Sequence, residues 1–270
     1  MTDPTPVPLE LPPGIVVVTG ASRGIGRDLV EQLLASGREV VGLARTTATS
    51  AADPPADHYT PISADLGNEG GIVDAVEQIH RAVHGRPVAA LVNGAGAVTP
   101  VGPLAAQSAD AMLGALCLMA VAPARLAAGV AGLMPRGGRI LNLSTRSAHE
   151  TFPGVGIYCM SKHALHSVTR SLQLELAPGI AVAELIPGEV DTEMQADLRR
   201  PDQDSFPLAE FFRGNRSNLI PSALAARFCH WVLTQTPEPE FSSADPWYIY
   251  DDEIRSRWLP PGTAFPYTAP

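Results

Sequence analysis

Tyr158 and Lys162 stand four positions apart in Tyr158-Cys159-Met160-Ser161-Lys162. On a helix, positions i and i+4 share a face. A phenol with a pKa near ~10 exchanges protons poorly at neutral pH. An ammonium one turn away stabilises the phenolate and is expected to lower that pKa. The pair reads as a device for moving a proton to or from an oxygen. Alone it is also what an ordinary helix surface carries, and a second stretch gives it weight. Thr19-Gly20-Ala21-Ser22-Arg23-Gly24-Ile25-Gly26 has three glycines at the spacing T-G-x-x-x-G-x-G, not the G-x-G-x-x-G of the general dinucleotide fingerprint. A glycine-rich turn into a helix brings backbone N–H groups and a positive helix end to a pyrophosphate.

The elements around these residues follow from periodicity. Ile15-Val16-Val17-Val18 reads as a buried strand, and Arg27 to Leu34 as a helix with apolar residues on one side. Val40–Leu43, Val88–Val92, Ile140–Leu143 and Ile180–Ile186 read as further strands. Ile72–Val83 and Tyr158–Leu176 read as helices. Alternation of this kind predicts an α/β fold, a doubly wound parallel sheet of Rossmann type with helices on both faces. Ligands of such sheets bind at the carboxyl ends of the strands. Gly20, Asn93, Ser144 and Pro187 each follow a predicted strand. Thr46 to Pro61 reads as a loop beside the nucleotide site. Glu193 to Pro221 is a longer irregular stretch, whose Phe206, Phe211 and Phe212 argue against disorder.

Folds of this type that prefer NAD place a carboxylate at the end of the second strand, about 20 residues past the glycines. Here that region reads Gly42-Leu43-Ala44-Arg45. The carboxylate is missing, Arg45 stands beside its position, and Arg23 lies inside the glycine loop. Two guanidinium groups suit a ribose 2′-phosphate, which favours NADP(H).

Together these stretches resemble the classical short-chain dehydrogenase/reductase family, from about Gly14 to about Asp251. Its landmarks occur in order: Thr19 to Gly26, Asp65-Leu66, Asn93-Gly94-Ala95-Gly96, Gly138 to Thr145, Tyr158 with Lys162, and Pro187-Gly188 with Val190-Asp191-Thr192. Ser147-Ala148-His149 through Lys162 is most similar to the sepiapterin-reductase and benzil-reductase branch. The resemblance implies one domain from residue 14 to 270 with a substrate lid at 193–221, and the acidic, proline-rich residues 1–13 read as a disordered tail. It implies cofactor contacts from Thr19, Gly20, Ser22, Arg23, Gly24, Ile25, Gly26, Arg45, Asp65, Leu66, Asn93, Gly94, Ala95, Tyr158, Lys162, Pro187, Gly188, Val190 and Thr192. Asp65 matches the aspartate that touches adenine. Tyr158 would protonate a carbonyl oxygen while nicotinamide delivers hydride to its carbon, with Lys162 on the nicotinamide ribose. A hydroxyl from the fifth strand's end fixes the carbonyl, from Thr145 or, if the loop is shifted by one, Ser144.

Two departures stand out. Gly94 replaces an asparagine of the family's N-N-A-G. The family's proton-relay asparagine in the central helix falls at Met119, or at Cys117 with a two-residue shift, and no asparagine lies between Asn93 and Asn142. The leading expectation is an NADPH-dependent carbonyl reductase or alcohol dehydrogenase. The alternative is a catalytically weak NADP(H)-binding sensor or scaffold of the same fold.

Composition narrows the rest. The 270 residues carry a formal net charge of −9. That balance, with no basic cluster, argues against nucleic acid as a partner. Cys117, Cys159 and Cys229 are too few and too scattered for a disulfide framework, which suits a reduced, cytoplasmic protein. The proline-rich N-terminus lacks the pattern of a signal peptide. Ala111 to Met134 has the length of a membrane span, but it falls at the family's central helix and reads as a buried or subunit-packing helix. Small residues at Ala120, Ala124, Ala127 and Ala128 predict a face for close approach in a homodimer or homotetramer. His80 and His84 share a metal-binding spacing but read as a solvated face. His163 and His166 flank Lys162 yet are expected to point elsewhere. His149 reads equally as a surface residue or as one that reaches substrate. The sequons at Asn142 and Asn215 are expected to be unused, and no metal is expected.

Overall fold

The computed structural model describes residues 10–46 and 58–266. In chain order the elements are β1 (Ile15–Thr19), α1 (Gly24–Ala35), β2 (Val40–Ala44), β3 (Tyr59–Ser63), α2 (Glu69–Val83) and β4 (Val88–Asn93). Then come α3 (Ala109–Leu116), α4 (Ala122–Ala131), β5 (Gly138–Leu143), α5 (Gly156–Leu176) and β6 (Ile180–Ile186). The last part holds β7 (Val190–Asp191), α6 (Glu193–Arg199), α7 (Ala209–Gly214), β8 (Ile220–Pro221), α8 (Ser222–Gln235), α9 (Glu238–Phe241), β9 (Trp247–Tyr248) and α10 (Asp252–Trp258). Seven strands form one parallel sheet in the order β3-β2-β1-β4-β5-β6-β9, and β7 pairs with β8 separately. The doubly wound single domain expected from the alternation is what the chain forms.

The strands are apolar on both faces because helices cover both. Val16 and Val18 pack with Leu29 and Leu33 of α1 and Phe228 and Val232 of α8. Val17 points the other way, with Ile79 of α2, Leu126 of α4 and Leu172 of α5. Each such buried aliphatic side chain stabilises the fold by roughly 1.5–3 kcal/mol. Toward the far ends of the central strands, buried polar side chains form a row. Thr19 aligns with Asn93, Asn93 with Asn142, and Asn142 with Glu184 across four neighbouring strands. All four follow the parity of the strand residues that face α5.

Several expectations need correction. Residues 1–9 of the predicted tail lie outside the described residues. At its inner end Leu11 is buried, and Arg38 donates to the carbonyls of Leu11 and Pro12, so the packed chain begins before Gly14. Of the predicted loop at 46–61, residues 47–57 lie outside the described residues, and Tyr59–Pro61 belong to β3. A strand with Pro61 at its centre is tolerated because β3 is the sheet edge. The central helix forms with one irregular turn. The N–H of Ala122 bonds back to the carbonyl of Cys117, a π turn over Cys117–Val121 between α3 and α4. Ala109–Ala131 is long and apolar enough to cross a membrane; here Pro123, Leu126, Ala127 and Val130 are buried in the layer beside α2 and α5. The predicted small-residue face also splits: Ala120 and Ala127 point inward, Ala124 is half-buried and Ala128 is exposed.

Candidate active site

The glycine loop runs from β1 into α1. Gly20 has φ 75°, which side chains rarely tolerate. A Cβ on Gly26 would stand 2.3 Å from the Gly20 carbonyl oxygen. Glycine at both positions lets the turn close. No side chain caps α1, and its first turn carries no carboxylate. Its leading N–H groups and positive end therefore face outward at the strand ends, a fit for a pyrophosphate. Thr19 fixes the neighbouring loop: its hydroxyl accepts from the N–H groups of Gly94 and Ala95 at 3.0 and 3.1 Å. A Cβ on Gly94 would lie 2.9 Å from the Thr19 carbonyl oxygen, which accounts for glycine there.

The remaining cofactor candidates border this floor. The Asp65 carboxylate accepts from the Gly67 N–H at 3.0 Å and the Asn68 amide at 3.2 Å, so it shapes the turn before α2. Leu66 is buried beneath it. Pro187-Gly188 follow β6, where the Glu189 N–H donates to the Tyr250 hydroxyl at 3.0 Å. Val190 is buried, and the Thr192 methyl lies 3.0 Å from where a Cβ on Gly24 would stand. Ser22 and Ile25 are half-buried in the loop. Arg45 is exposed at the end of β2. Arg23 is ion-paired with Glu193 at the start of α6, a competitor that sequence reading had not placed beside it.

Tyr158 and Lys162 lie on the first turns of α5, with Lys162 buried and Tyr158 half-buried. The Lys162 ammonium donates to the Leu143 carbonyl at 2.8 Å and stands 5.9 Å from the centre of the Tyr158 ring. Thr145 follows β5; its hydroxyl accepts from the Ser147 N–H at 3.3 Å and lies near enough to the Tyr158 hydroxyl to draw the phenol's pKa down. Ser144 is buried beside it, its hydroxyl without a partner among the described residues. Of the two candidate hydroxyls, Thr145 is the one at the tyrosine.

The electrostatics differ from the expected lowering. Burial pushes the Tyr158 phenol up to about 12, although the Thr145 hydroxyl pulls the other way. Burial brings Lys162 down to about 8, opposed by the Glu184 carboxylate. Lys162 is bonded to a carbonyl rather than to the phenol, so desolvation outweighs its charge. The tyrosine holds its proton at neutral pH.

An apolar wall closes the outer side. Phe206 is fully buried with Val98, Val155, Cys159 and Leu198, and Tyr158, Phe152, Met194 and Phe212 pack against that cluster. The stretch 193–221, which includes α6 and α7, thus packs against the tyrosine. Met119, in the π turn, is buried with its sulfur 3.6 Å from the Cβ position of Gly96; Cys117 is half-buried.

Other candidates are placed elsewhere. His80 reaches the Gly129 carbonyl at 2.7 Å, and His84 ends α2 in a left-handed conformation. Asn142 is buried between Asn93 and Thr169, so its sequon is closed. His163 lies 2.9 Å from the Cys159 carbonyl. His166 corrects the phase reading: one turn beyond Lys162, it faces the sheet and reaches Glu184 at 2.6 Å. Glu184 is the site residue that sequence reasoning missed. A glutamate inside the apolar run Ile180–Ile186 was the available signal.

Comparison with known proteins agrees with this geometry. The family model for short chain dehydrogenases matches residues 14–203. The protein FixR of Bradyrhizobium diazoefficiens is 33% identical over 67% of this chain and 69% of its own. Carbonyl reductase [NADPH] 2 of Sus scrofa is 31% identical over 72% of this chain and 82% of its own. A short-chain dehydrogenase from Burkholderia cenocepacia, solved in complex with NADP, is 26% identical with a TM-score of 0.70, covering 86% of this chain and 94% of that one. The chain belongs to the short-chain dehydrogenase/reductase family. It is an oxidoreductase of that family acting on small molecules.

Proposed function

We propose that this protein is an NADPH-dependent reductase of ketones, with Tyr158 as proton donor. The observation that carries the reading is the placement of Lys162, its ammonium 2.8 Å from the Leu143 carbonyl and 5.9 Å from the centre of the Tyr158 ring. NADPH, held by the glycine loop and Lys162, would supply hydride for the carbonyl carbon. Tyr158 gives its proton to the carbonyl oxygen, and Thr145 holds that oxygen in line. Lys162, anchored on the Leu143 carbonyl, binds the nicotinamide ribose. The phenylalanines at 206 and 212, with Met194, exclude water and favour an apolar flank on the substrate, as in a diketone or an aryl ketone. Residues 193–221 serve as the lid.

NADP(H) preference rests on Arg45, on Arg23, and on the missing carboxylate after β2. The name of the Sus scrofa relative and the NADP complex of the Burkholderia protein support it. In our reading Arg23 leaves Glu193 for the 2′-phosphate. Oxidation of NADPH and NADH, each with a panel of diketones, quinones and ketones, tests both claims. Turnover with NADPH favoured over NADH is expected, and Arg45→Asp should narrow the gap. Tighter binding of NADH by the native chain contradicts the assignment.

A second reading, a nucleotide-binding sensor or scaffold, is favoured by the missing relay asparagine, whose place falls at Met119 or, with a two-residue shift, Cys117. It predicts NADPH binding without turnover across the whole panel. We also infer a cytoplasmic homodimer or homotetramer. Exposed apolar residues on the central and catalytic helices, Leu113, Val121 and Leu174, support association.

A further inference from the structure

Glu184 has neighbours that the reductase reading does not use. Glu184 is 5% exposed, inside a strand, on the face covered by α5. Its Oε2 lies 2.6 Å from His166 Nδ1, and its Oε1 lies 3.5 Å from His149 Nε2. Oε1 makes no hydrogen bond among the described residues. The two imidazoles meet edge to face, with ring centres 4.5 Å apart. One ligand atom from each of the three side chains falls within 4.8 Å of the others. The histidine side chains are 36% and 32% exposed, so the cluster opens to solvent on one side only.

We propose that His149, His166 and Glu184 form a binding site for a divalent transition-metal ion, zinc being the best match. Two imidazoles and one carboxylate are a borderline donor set that suits Zn²⁺ rather than Mg²⁺ or Ca²⁺. Zinc–ligand bonds of about 2.0–2.2 Å place tetrahedral ligand atoms roughly 3.3 Å apart. The cluster reaches that spacing if His166 gives up its hydrogen bond to Glu184 and the more exposed His149 swings in. Each imidazole coordinates through the nitrogen that already faces the carboxylate. Water takes the fourth position on the open side. The ion supplies the unpaired Oε1 with a positive partner.

The three ligands come from three segments. His149 ends the turn that begins at Thr145, His166 is one turn beyond Lys162 on α5, and Glu184 is on β6. A bound ion ties the Thr145 turn to the helix that carries Tyr158. The site stands independently of the reductase reading.

The test uses the full chain, stripped with a chelator. Titration with zinc chloride by calorimetry, and with cobalt chloride by visible absorption, should show one saturable equivalent and tetrahedral cobalt bands. Zinc should raise the melting temperature of the native chain. His166→Gln and Glu184→Gln should each weaken binding at least about tenfold. His149→Gln serves if the buried variants do not fold. His80→Gln should leave the titration unchanged. Absence of a saturable equivalent overturns the proposal. So does uptake that survives the loss of His166 or His149, or uptake that depends on His80.

Discussion

Thr145 is where a single residue decides most. Both it and Ser144 carry hydroxyls just after β5, and we propose Thr145 as the one that acts. Ser144 is buried with its N–H on the Leu185 carbonyl, whereas Thr145 turns toward Tyr158. Thr145→Ala should lower kcat for ketone reduction by about 10²-fold, within the range of a lost acid–base partner. Thr145→Ser should restore most of it, and Ser144→Ala should change it little. Steady-state kinetics on the three variants checks the order; a larger loss at Ser144 reverses the assignment. A pH profile tests the other pair. Lys162 sits at about 8 and Tyr158 at about 12. As pH rises through about 8, Lys162 loses its charge while Tyr158 still holds its proton. Reductive kcat/KM should therefore be level at neutral pH and fall above about 8, long before the phenol titrates. A profile level to pH 10 would separate Lys162 from the reaction.

The central helix shows what an element adds that its residues do not announce. The family resemblance implies one central helix over 111–134, and the chain supplies it with an extra residue wound into one turn at Cys117–Val121. Hydrophobic spacing cannot register a π turn, because the apolar residues remain apolar on either side. The turn carries Met119 inward against Gly96. A thioether there fills space and cannot anchor a proton path. Met119→Asn should cost about 1–3 kcal/mol by leaving a buried amide short of partners. It should lower the melting temperature without raising turnover. A variant of native stability with faster turnover would instead mark the position as the vacant relay. The strand Tyr59–Ser63 was illegible for a related reason. Proline and small polar residues read as a loop, and only the edge position of β3 makes Pro61 harmless.

Across the whole molecule, the motifs locate the strand ends, and three-dimensional packing adds what lies behind them. Thr19, Gly20, Gly26, Tyr158 and Lys162 were legible because each is set by local geometry that recurs at fixed spacing. Glu184 and Arg139 were not, since their burial depends on distant partners. Arg139 is 1% exposed within β5. It donates to the carbonyls of Leu233 at 2.8 Å and Thr236 at 2.6 Å, closing the C-terminal end of α8, and stands 4.9 Å over Phe241. It thus fastens one helical layer to the sheet. Arg139→Met should destabilise the fold by about 2–4 kcal/mol, because buried carbonyls lose their donors. Urea unfolding of the two proteins measures this; a difference below about 0.5 kcal/mol, the scale of an ordinary surface change, would mean the carbonyls find other partners.

The central claim joins a nucleotide floor that binds to a tyrosine that reacts, and one variant separates them. In Tyr158→Phe the glycine loop, the α1 terminus and Lys162 remain, and only the proton donor is gone. NADPH titration and ketone turnover on this variant form the most direct test. The account predicts NADPH affinity within about twofold of native and turnover reduced by about 10²-fold or more. Native turnover in the phenylalanine variant would contradict it.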